Sequence, residues 1–227
     1  MDRLHPGLLS PPQPTVVTNT GLGWQVATPT HYQLTLTHGP FHANEYRLVQ
    51  YQMHWPSEHT LEGRSYPGEL HLVHIHTRYR DLEEAKLHSE GVAVVAVLIT
   101  EDKETANSEL EKIGEVLPRI QLKGEQAQTA EVVRVEGLLP RDRDYLTYRG
   151  SLTTPGFEEG VVWAVLLQPL AVSPAALSRM RQLRYGGEDS TRVGANCREQ
   201  QDLGERTVYR PDKQQGDSSN HLGLTHF

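Results

Sequence analysis

The sequence predicts one domain of mainly β structure. The chain has 227 residues, of which 37% are hydrophobic, and this length and composition suit a single compact domain with its own core. Runs rich in β-branched and aromatic residues dominate the chain, whereas only two segments show apolar residues at helical spacing. The pattern therefore favours strands over helices along most of the chain.

Six runs read as strands, and one of them should lie inside the sheet. The runs are 31–36, 46–55, 69–76, 91–100, 145–152 and 160–172. Residues 91–98 are apolar on both faces of the predicted strand, which is typical of a central strand.

Two helices interrupt the strands. Residues 106–117 place Leu110, Ile113 and Leu117 at helical spacing. Ser173 followed by Pro174 reads as an N-cap with proline at the first helical position. We expect an irregular segment over residues 1–14, the folded domain over 15–215 and a disordered tail over 216–227.

Charge and composition exclude several classes of partner. The net charge is -7 and the pI is near 5.9, whereas binding a polyanion needs an excess of Lys and Arg. The sequence contains no apolar run of about 18 residues, so it predicts no membrane helix. The first residues also lack the apolar core of a signal peptide. The single cysteine, Cys197, cannot form an internal disulfide. This favours a cytoplasmic location, unless a signal peptide was lost with a truncated N-terminus.

Two short segments have the layout of a metal site. They are Gln50-Tyr51-Gln52-Met53-His54-Trp55 and Glu69-Leu70-His71-Leu72-Val73-His74. Because side chains alternate along a strand, Gln52 and His54 share one face of the first strand, and His71 shares a face with Glu69 in the second. Three ligands from two strands leave a fourth tetrahedral position open, as catalytic zinc requires. The first of these three residues is a glutamine.

These segments resemble the alpha-class carbonic anhydrases. The family has Gln-Phe-His-Phe-His-Trp and Glu-Leu-His-Leu-Val-His strands, and its Ser-Glu-His-Thr and Tyr-Pro-Gly-Ser-Leu-Thr-Thr-Pro segments match residues 57–60 and 148–155. The resemblance runs from about residue 15 to 211 and implies a large, twisted, mostly antiparallel sheet with peripheral helices. No segment of this sequence matches the N-terminal lobe of the family. The sequence is therefore expected to be a fragment, a shortened gene model or a protein that lost this lobe.

The resemblance implies a zinc site with an altered ligand set. The family's three zinc histidines map onto Gln52, His54 and His71. An amide oxygen from Gln52 is a weaker zinc ligand than an imidazole. Losing one good ligand of four is expected to cost on the order of a hundredfold in affinity. Zinc is therefore expected to bind weakly or not at all.

The same resemblance assigns the residues around the ligands. Glu69 matches the carboxylate behind the third histidine, and Gln50 matches the residue that orients the first ligand. Residues 207–211 align with the family's Asp-Asn-Trp-Arg-Pro, so that Val208 replaces the asparagine behind His54. That replacement predicts a lost hydrogen bond.

Catalytic and substrate positions follow in the same way. Thr153 matches the threonine that orients the attacking hydroxide, and it should hydrogen-bond to buried Glu58. Leu22 stands where fast members carry a proton-shuttle histidine, so proton export should be slow. The wall that receives carbon dioxide maps onto Val73, Val94, Leu152, Thr154, Val161 and Trp163.

Two functions follow from these expectations. The first is a carbonic-anhydrase-related or nacrein-like domain with weak or absent carbon dioxide hydration and a binding or matrix role. The alternative is an active but slow zinc lyase that interconverts carbon dioxide and bicarbonate. The protein partner of either is unknown, and neither involves nucleic acid or a membrane.

Overall fold

One sheet organises the protein. The structure is a computed structural model that describes residues 14–29, 34–37, 39–41, 44–211 and 223–226. In these ranges ten strands form a single sheet, whose strand pairs are antiparallel except for one parallel pair. The expected mainly β fold with a large, mostly antiparallel sheet is therefore confirmed.

The strands run in a mixed order across the sheet. They are β1 Val16–Asn19, β2 Trp24–Ala27, β3 Leu34–Thr37, β4 Tyr46–His54, β5 Gly68–His76, β6 Val92–Glu101, β7 Gln126–Gln128, β8 Tyr145–Ser151, β9 Glu159–Val172 and β10 Gly223–His226. Their order is β7-β1-β2-β4-β5-β6-β9-β8, and β3 pairs with both β4 and β10. The strand β6, predicted to be central, lies between β5 and its parallel neighbour β9.

The long strands match the sequence predictions, and the short ones do not. The runs assigned to β4, β5, β6, β8 and β9 are confirmed within two residues at either end. Of the run 31–36, residues 31–33 lie outside the described part, and β3 begins at Leu34. The pattern missed β1, β2 and β7, which have three or four residues each and depend on pairing with their neighbours.

Three short α-helices accompany the sheet within the described ranges. They are α1 Leu82–Ala85, α2 Ser108–Val116 and α3 Pro174–Met180. The side chain of Ser173 caps α3 as predicted, and that of Asn107 caps α2. Helix α1, which has only four residues, was not predicted. None of these helices has the length and apolar character needed to cross a membrane.

The predicted ends are only partly described. Residues 1–13 of the irregular segment lie outside the described part of the chain. In the tail predicted to be disordered, residues 223–226 form β10 against β3, which differs from the prediction at these four positions. The other residues of that tail lie outside the described part.

A hydrophobic cluster covers each face of the sheet. The larger cluster includes Tyr51, Met53, Leu70 and Leu72 together with α2 and α3. The smaller cluster contains Val73, Val94, Ala96 and Trp163 on the opposite face. Because side chains alternate, residues 50, 52 and 54 of β4 and residues 69, 71 and 73 of β5 lie on the face of the smaller cluster.

Candidate metal centre

Strands β4 and β5 bring the three predicted ligand residues together. Gln52 pairs with His71 across the two strands. The ring centroids of His54 and His71 are 4.5 Å apart. The side-chain nitrogen Nε2 of Gln52 lies 3.4 Å from Nε2 of His54. These contacts lie on one face of the sheet, as strand alternation predicts, and the role of the three residues as metal ligands stays a prediction.

A carboxylate fixes the orientation of His71. Its Nε2 lies 2.6 Å from Oε1 of Glu69, and both side chains are almost fully buried. A carboxylate only accepts hydrogen bonds, so Nε2 carries the proton and donates it. The free lone pair of His71 is consequently on Nδ1, which is available to a metal.

A backbone carbonyl fixes the orientation of His54. Its Nδ1 donates to the carbonyl oxygen of Asn196 at 3.0 Å, which leaves the lone pair on Nε2. Burial of His54, with a smaller contribution from the nearby His71, lowers the pKa of the His54 ring. The imidazole is therefore neutral near pH 7, the state that a metal ligand requires.

The residue behind His54 is Asn196, and the assignment of Val208 to this place is wrong. Val208 is 41% exposed, whereas Asn196 also accepts from the backbone N–H of Trp55 at 2.7 Å. Asn196-Cys197-Arg198 preserves the spacing of the family's Asn-Trp-Arg, a signal that the 207–211 alignment lacked. The predicted loss of a hydrogen bond at His54 does not occur.

A chain of amides holds Gln52. Gln25 donates through Nε2 to Oε1 of Gln50 at 3.3 Å, and Gln50 donates through Nε2 to Oε1 of Gln52 at 3.2 Å. Gln50 thus contacts the residue that it was predicted to orient. The Gln52 oxygen, the atom through which an amide would bind zinc, accepts this hydrogen bond with one of its two lone pairs.

Glu69 joins the metal centre to the loop that follows β4. Its Oε2 accepts from the backbone N–H groups of Glu58 at 3.0 Å and His59 at 2.7 Å. Its Oε1 also lies 2.6 Å from Nδ1 of His59. Burial alone would raise the pKa of Glu69, but His59 and His71 hold that pKa well below its usual range.

His59 extends this network to the edge of the smaller hydrophobic cluster. Burial opposes a charge on His59, but the Glu69 carboxylate outweighs burial and raises the pKa of the ring. Nε2 of His59 lies 2.7 Å from the hydroxyl of Tyr148, and burial raises the pKa of that hydroxyl. Tyr148 was not singled out beyond its place in the 148–155 segment.

Glu58 is buried as predicted, but it makes no hydrogen bond to Thr153. Its Oε1 accepts from the backbone N–H of Arg198 at 2.7 Å and lies 3.4 Å from Nδ1 of His54. Its Oε2 has no hydrogen-bond partner among the described residues and lies 3.8 Å from Nδ1 of His71. Arg198 thus holds the carboxylate beside the two imidazoles, which corrects the predicted relay.

A cavity of about 410 Å³ lies against Glu58 and Thr153. Thr153 and the adjacent Thr154 follow β8 and are half-buried. Leu22 is 49% exposed in the turn between β1 and β2, and its carbonyl accepts from the Asn196 side chain at 2.7 Å. The predicted apolar wall forms one cluster with buried Val73, Val94, Val161 and Trp163, against which Leu152 packs.

The donor set fits a divalent metal ion. His54, Glu58 and His71 each offer a ligand atom, and these atoms lie within 4.8 Å of one another. Both imidazoles have a fixed tautomer, with free ring nitrogens at Nε2 of His54 and Nδ1 of His71, while Glu58 approaches His54 at the Nδ1 that donates to Asn196. A second group with this spacing, His59, Glu69 and His71, is already joined by hydrogen bonds, so it reads as a support network.

Comparison with known proteins agrees with this geometry. The family model of the eukaryotic-type carbonic anhydrases matches residues 3–212. Carbonic anhydrase 7 of Homo sapiens is 36% identical over 185 residues, which cover 78% of this chain and 69% of that protein. Carbonic anhydrase 3 of Homo sapiens is 33% identical over 200 residues, with 85% and 76% covered. Mitochondrial carbonic anhydrase 5A of Rattus norvegicus is 38% identical over 201 residues, with 84% and 64% covered. The chain belongs to the eukaryotic-type carbonic anhydrase family.

Proposed function

We propose that the chain is a carbonic anhydrase domain with a weakened zinc site that hydrates carbon dioxide slowly. The observation that carries this proposal is the position of Gln52. It lies opposite His71 and beside His54, where the family resemblance calls for a third imidazole. The hydrogen-bond partners of the other two ligands are in place, which supports retained metal binding.

The side chains around this centre have distinct tasks in the proposal. Zinc, when bound, supplies a nucleophile derived from water at neutral pH. His54 and His71 hold the metal, while the Asn196 carbonyl and the Glu69 carboxylate keep the two rings oriented. The cluster that includes Val73 and Trp163 provides an apolar wall for carbon dioxide. Thr153 lies at the cavity beside Glu58, where it can orient the reacting groups.

Two features support slow turnover. A missing imidazole is expected to lower zinc affinity on the order of a hundredfold. The Gln52 amide also presents its nitrogen, which is not a zinc ligand, to Nε2 of His54. Leu22, exposed in the turn between β1 and β2, has no group that titrates near pH 7 to carry protons to buffer.

One observation favours a second candidate, a non-catalytic binding or matrix role. The reaction would use a hydrogen bond between Thr153 and Glu58 to align the attacking hydroxide. Among the described residues, Oε2 of Glu58 has no hydrogen-bond partner, so this bond is absent. The fold and the apolar cluster would persist in such a protein without supporting catalysis.

Metal analysis combined with stopped-flow hydration of carbon dioxide separates the two functions. The purified chain is measured as isolated, after zinc addition and after chelation. The proposal expects loss of zinc to a chelator, together with slow hydration that returns when zinc is added. Tight zinc retention with a fast rate would contradict the weakened site. A folded protein with neither zinc nor hydration would favour the binding role.

A further inference from the structure

The cavity of about 410 Å³ beside the metal centre is lined by its own set of residues. Glu58 and Thr153 form part of its wall, but none of the three predicted zinc ligands lines it. Much of the remaining wall comes from the segment 198–208. A cavity of this volume suits a small organic molecule rather than a single ion.

Arg198 presents to this cavity a half-buried guanidinium that is held in one orientation. Its Nη1 donates to Oγ of Ser151 at 3.1 Å, and its guanidinium carbon lies 4.1 Å from the centroid of the Phe157 ring. Contact with an aromatic face leaves the edge of a guanidinium, which carries the N–H donors, open to a further partner. Arg198 therefore offers preorganised hydrogen-bond donors at the cavity wall.

Arg206 adds a second half-buried guanidinium to the same cavity. Its Nε and Nη2 donate to backbone carbonyl oxygens of the turn just before it. Neither Arg206 nor Arg198 forms an ion pair within the described ranges, unlike Arg149, whose Nη2 lies 2.9 Å from Oε1 of Glu90. The two guanidinium groups thus keep donors for an anionic partner.

Negative charge in the wall limits the attraction of this cavity for a bare anion. Glu199 is exposed, and buried Glu58 accepts through Oε1 from the backbone N–H of Arg198 at 2.7 Å. Oε2 of Glu58 has almost no accessible surface, so a ligand in the cavity does not meet it. These carboxylates offset much of the long-range field of the two arginines. An inorganic anion should therefore bind weakly, and direct contact with the guanidinium groups is what favours an anion.

Apolar side chains supply the other part of the cavity wall. Leu203 and Val208 both line the cavity and are exposed. A ligand that covers them removes apolar surface from water. Pockets for small molecules typically combine such apolar surface with a few polar groups that fix the orientation of the ligand.

We propose that this cavity binds a small organic carboxylate. The carboxylate accepts hydrogen bonds from the guanidinium groups of Arg198 and Arg206, whose planar geometry matches it. The apolar body of the ligand packs against Leu203 and Val208. No metal ion takes part, so this site is independent of the proposed zinc chemistry.

Titration of the zinc-free chain with benzoate tests the proposal. The wild-type chain is treated with chelator, so that no metal ion can hold a carboxylate, and NMR spectra follow its backbone amide signals. Benzoate should cause saturable shifts within the segment 198–208. Benzamide lacks the charge and acetate lacks the apolar body, so each should bind about tenfold more weakly or worse.

Arginine variants locate the site. Arg206→Gln and Arg198→Gln should each weaken benzoate binding by about tenfold or more, since each loses charge-assisted hydrogen bonds. Arg181→Gln is the matched control, because Arg181 is exposed at the end of α3 and does not line the cavity, and it should bind benzoate as the wild type does. Thermal melting in chelator verifies folding, and Arg206→Gln decides the result if Arg198→Gln is unfolded.

Three results would overturn the carboxylate site. They are no saturable binding of benzoate at millimolar concentration, equal affinity for benzoate and either control compound, and unchanged benzoate affinity in folded Arg206→Gln. Shifts confined to β4 and β5 would place the ligand elsewhere and would also overturn it. Hydration of carbon dioxide is measured separately on the zinc-loaded chain, so a failure of this proposal leaves the proposed function standing.

Discussion

The two strands of the metal centre support it in different ways. On β5, Glu69 and His71 are buried, and the hydrogen bonds of the Glu69 carboxylate are 2.6 to 3.0 Å long. On β4, Gln50 and Gln52 are half-buried and interact over 3.2 to 3.4 Å. The β5 side is a charged network within the core, whereas the β4 side is a series of neutral amides near the surface.

This difference separates fold stability from metal affinity. Short hydrogen bonds to a buried carboxylate stabilise the fold and are costly to break. The half-buried amides of Gln50 and Gln52 on β4 contribute less to stability. A glutamine in place of the family's histidine at position 52 is therefore compatible with the fold. We expect changes at Glu69 to alter the free energy of unfolding and changes at Gln52 to alter zinc binding.

The largest expected effect is on the β5 side. Glu69→Ala removes the acceptor for His59 and His71 and for two backbone N–H groups. The metal-free protein should lose about 3 to 5 kcal/mol of unfolding free energy, as for other buried charge partners that are broken. Urea denaturation in the presence of a chelator measures this loss of unfolding free energy. Gln50→Ala is the matched control on β4 and should lose less than about 1 kcal/mol. Comparable losses of unfolding free energy in the two variants would contradict the proposed difference between Glu69 and the β4 amides.

A second test uses the other face of β5. His74 is fully buried, and desolvation lowers the pKa of its ring to about 3 from an ordinary value of 6.5. Between these values the unfolded chain binds a proton that the folded chain does not, so stability falls as the pH falls below about 6.5. At pH 5 this amounts to about 2 kcal/mol.

His74→Asn isolates this contribution, since the asparagine amide can replace the contact of the ring Nδ1 with the Leu72 carbonyl. Between pH 7 and pH 5 the wild type should lose about 2 kcal/mol more unfolding free energy than the variant. Urea denaturation at the two pH values compares them. Identical acid sensitivity would show that His74 is not buried in its neutral form.

The smallest expected effect concerns Val208. Because Asn196 occupies the place behind His54, Val208→Asn should restore nothing at the metal centre. Val208 is 41% exposed, and substitutions at such sites usually change stability by less than about 0.5 kcal/mol. Zinc affinity should remain within about twofold of the wild type in chelator competition. A tenfold gain in zinc affinity would instead support the alignment of residues 207–211 with the family's Asp-Asn-Trp-Arg-Pro.

Strand alternation and family motifs were sufficient to predict the main strands and the convergence of Gln52, His54 and His71. The contact from Asn196 was missed, because a backbone carbonyl makes it and the choice between two Asn-Trp-Arg-like segments depends on tertiary structure. The contact between the Glu58 carboxylate and the backbone of Arg198 was missed for a related reason, because Arg198 is 140 residues further along the chain than Glu58. Local pattern does not encode such distances.

Zinc affinity of Gln52→His tests most directly whether position 52 weakens the centre. The variant restores a third imidazole opposite His71, so chelator competition should show zinc binding tighter by about a hundredfold. Gln25→His is the control, because it adds an imidazole on the neighbouring strand β2, directly across from Gln52, and should not tighten binding. A folded Gln52→His protein with wild-type zinc affinity would contradict the proposed cause of the weakened site.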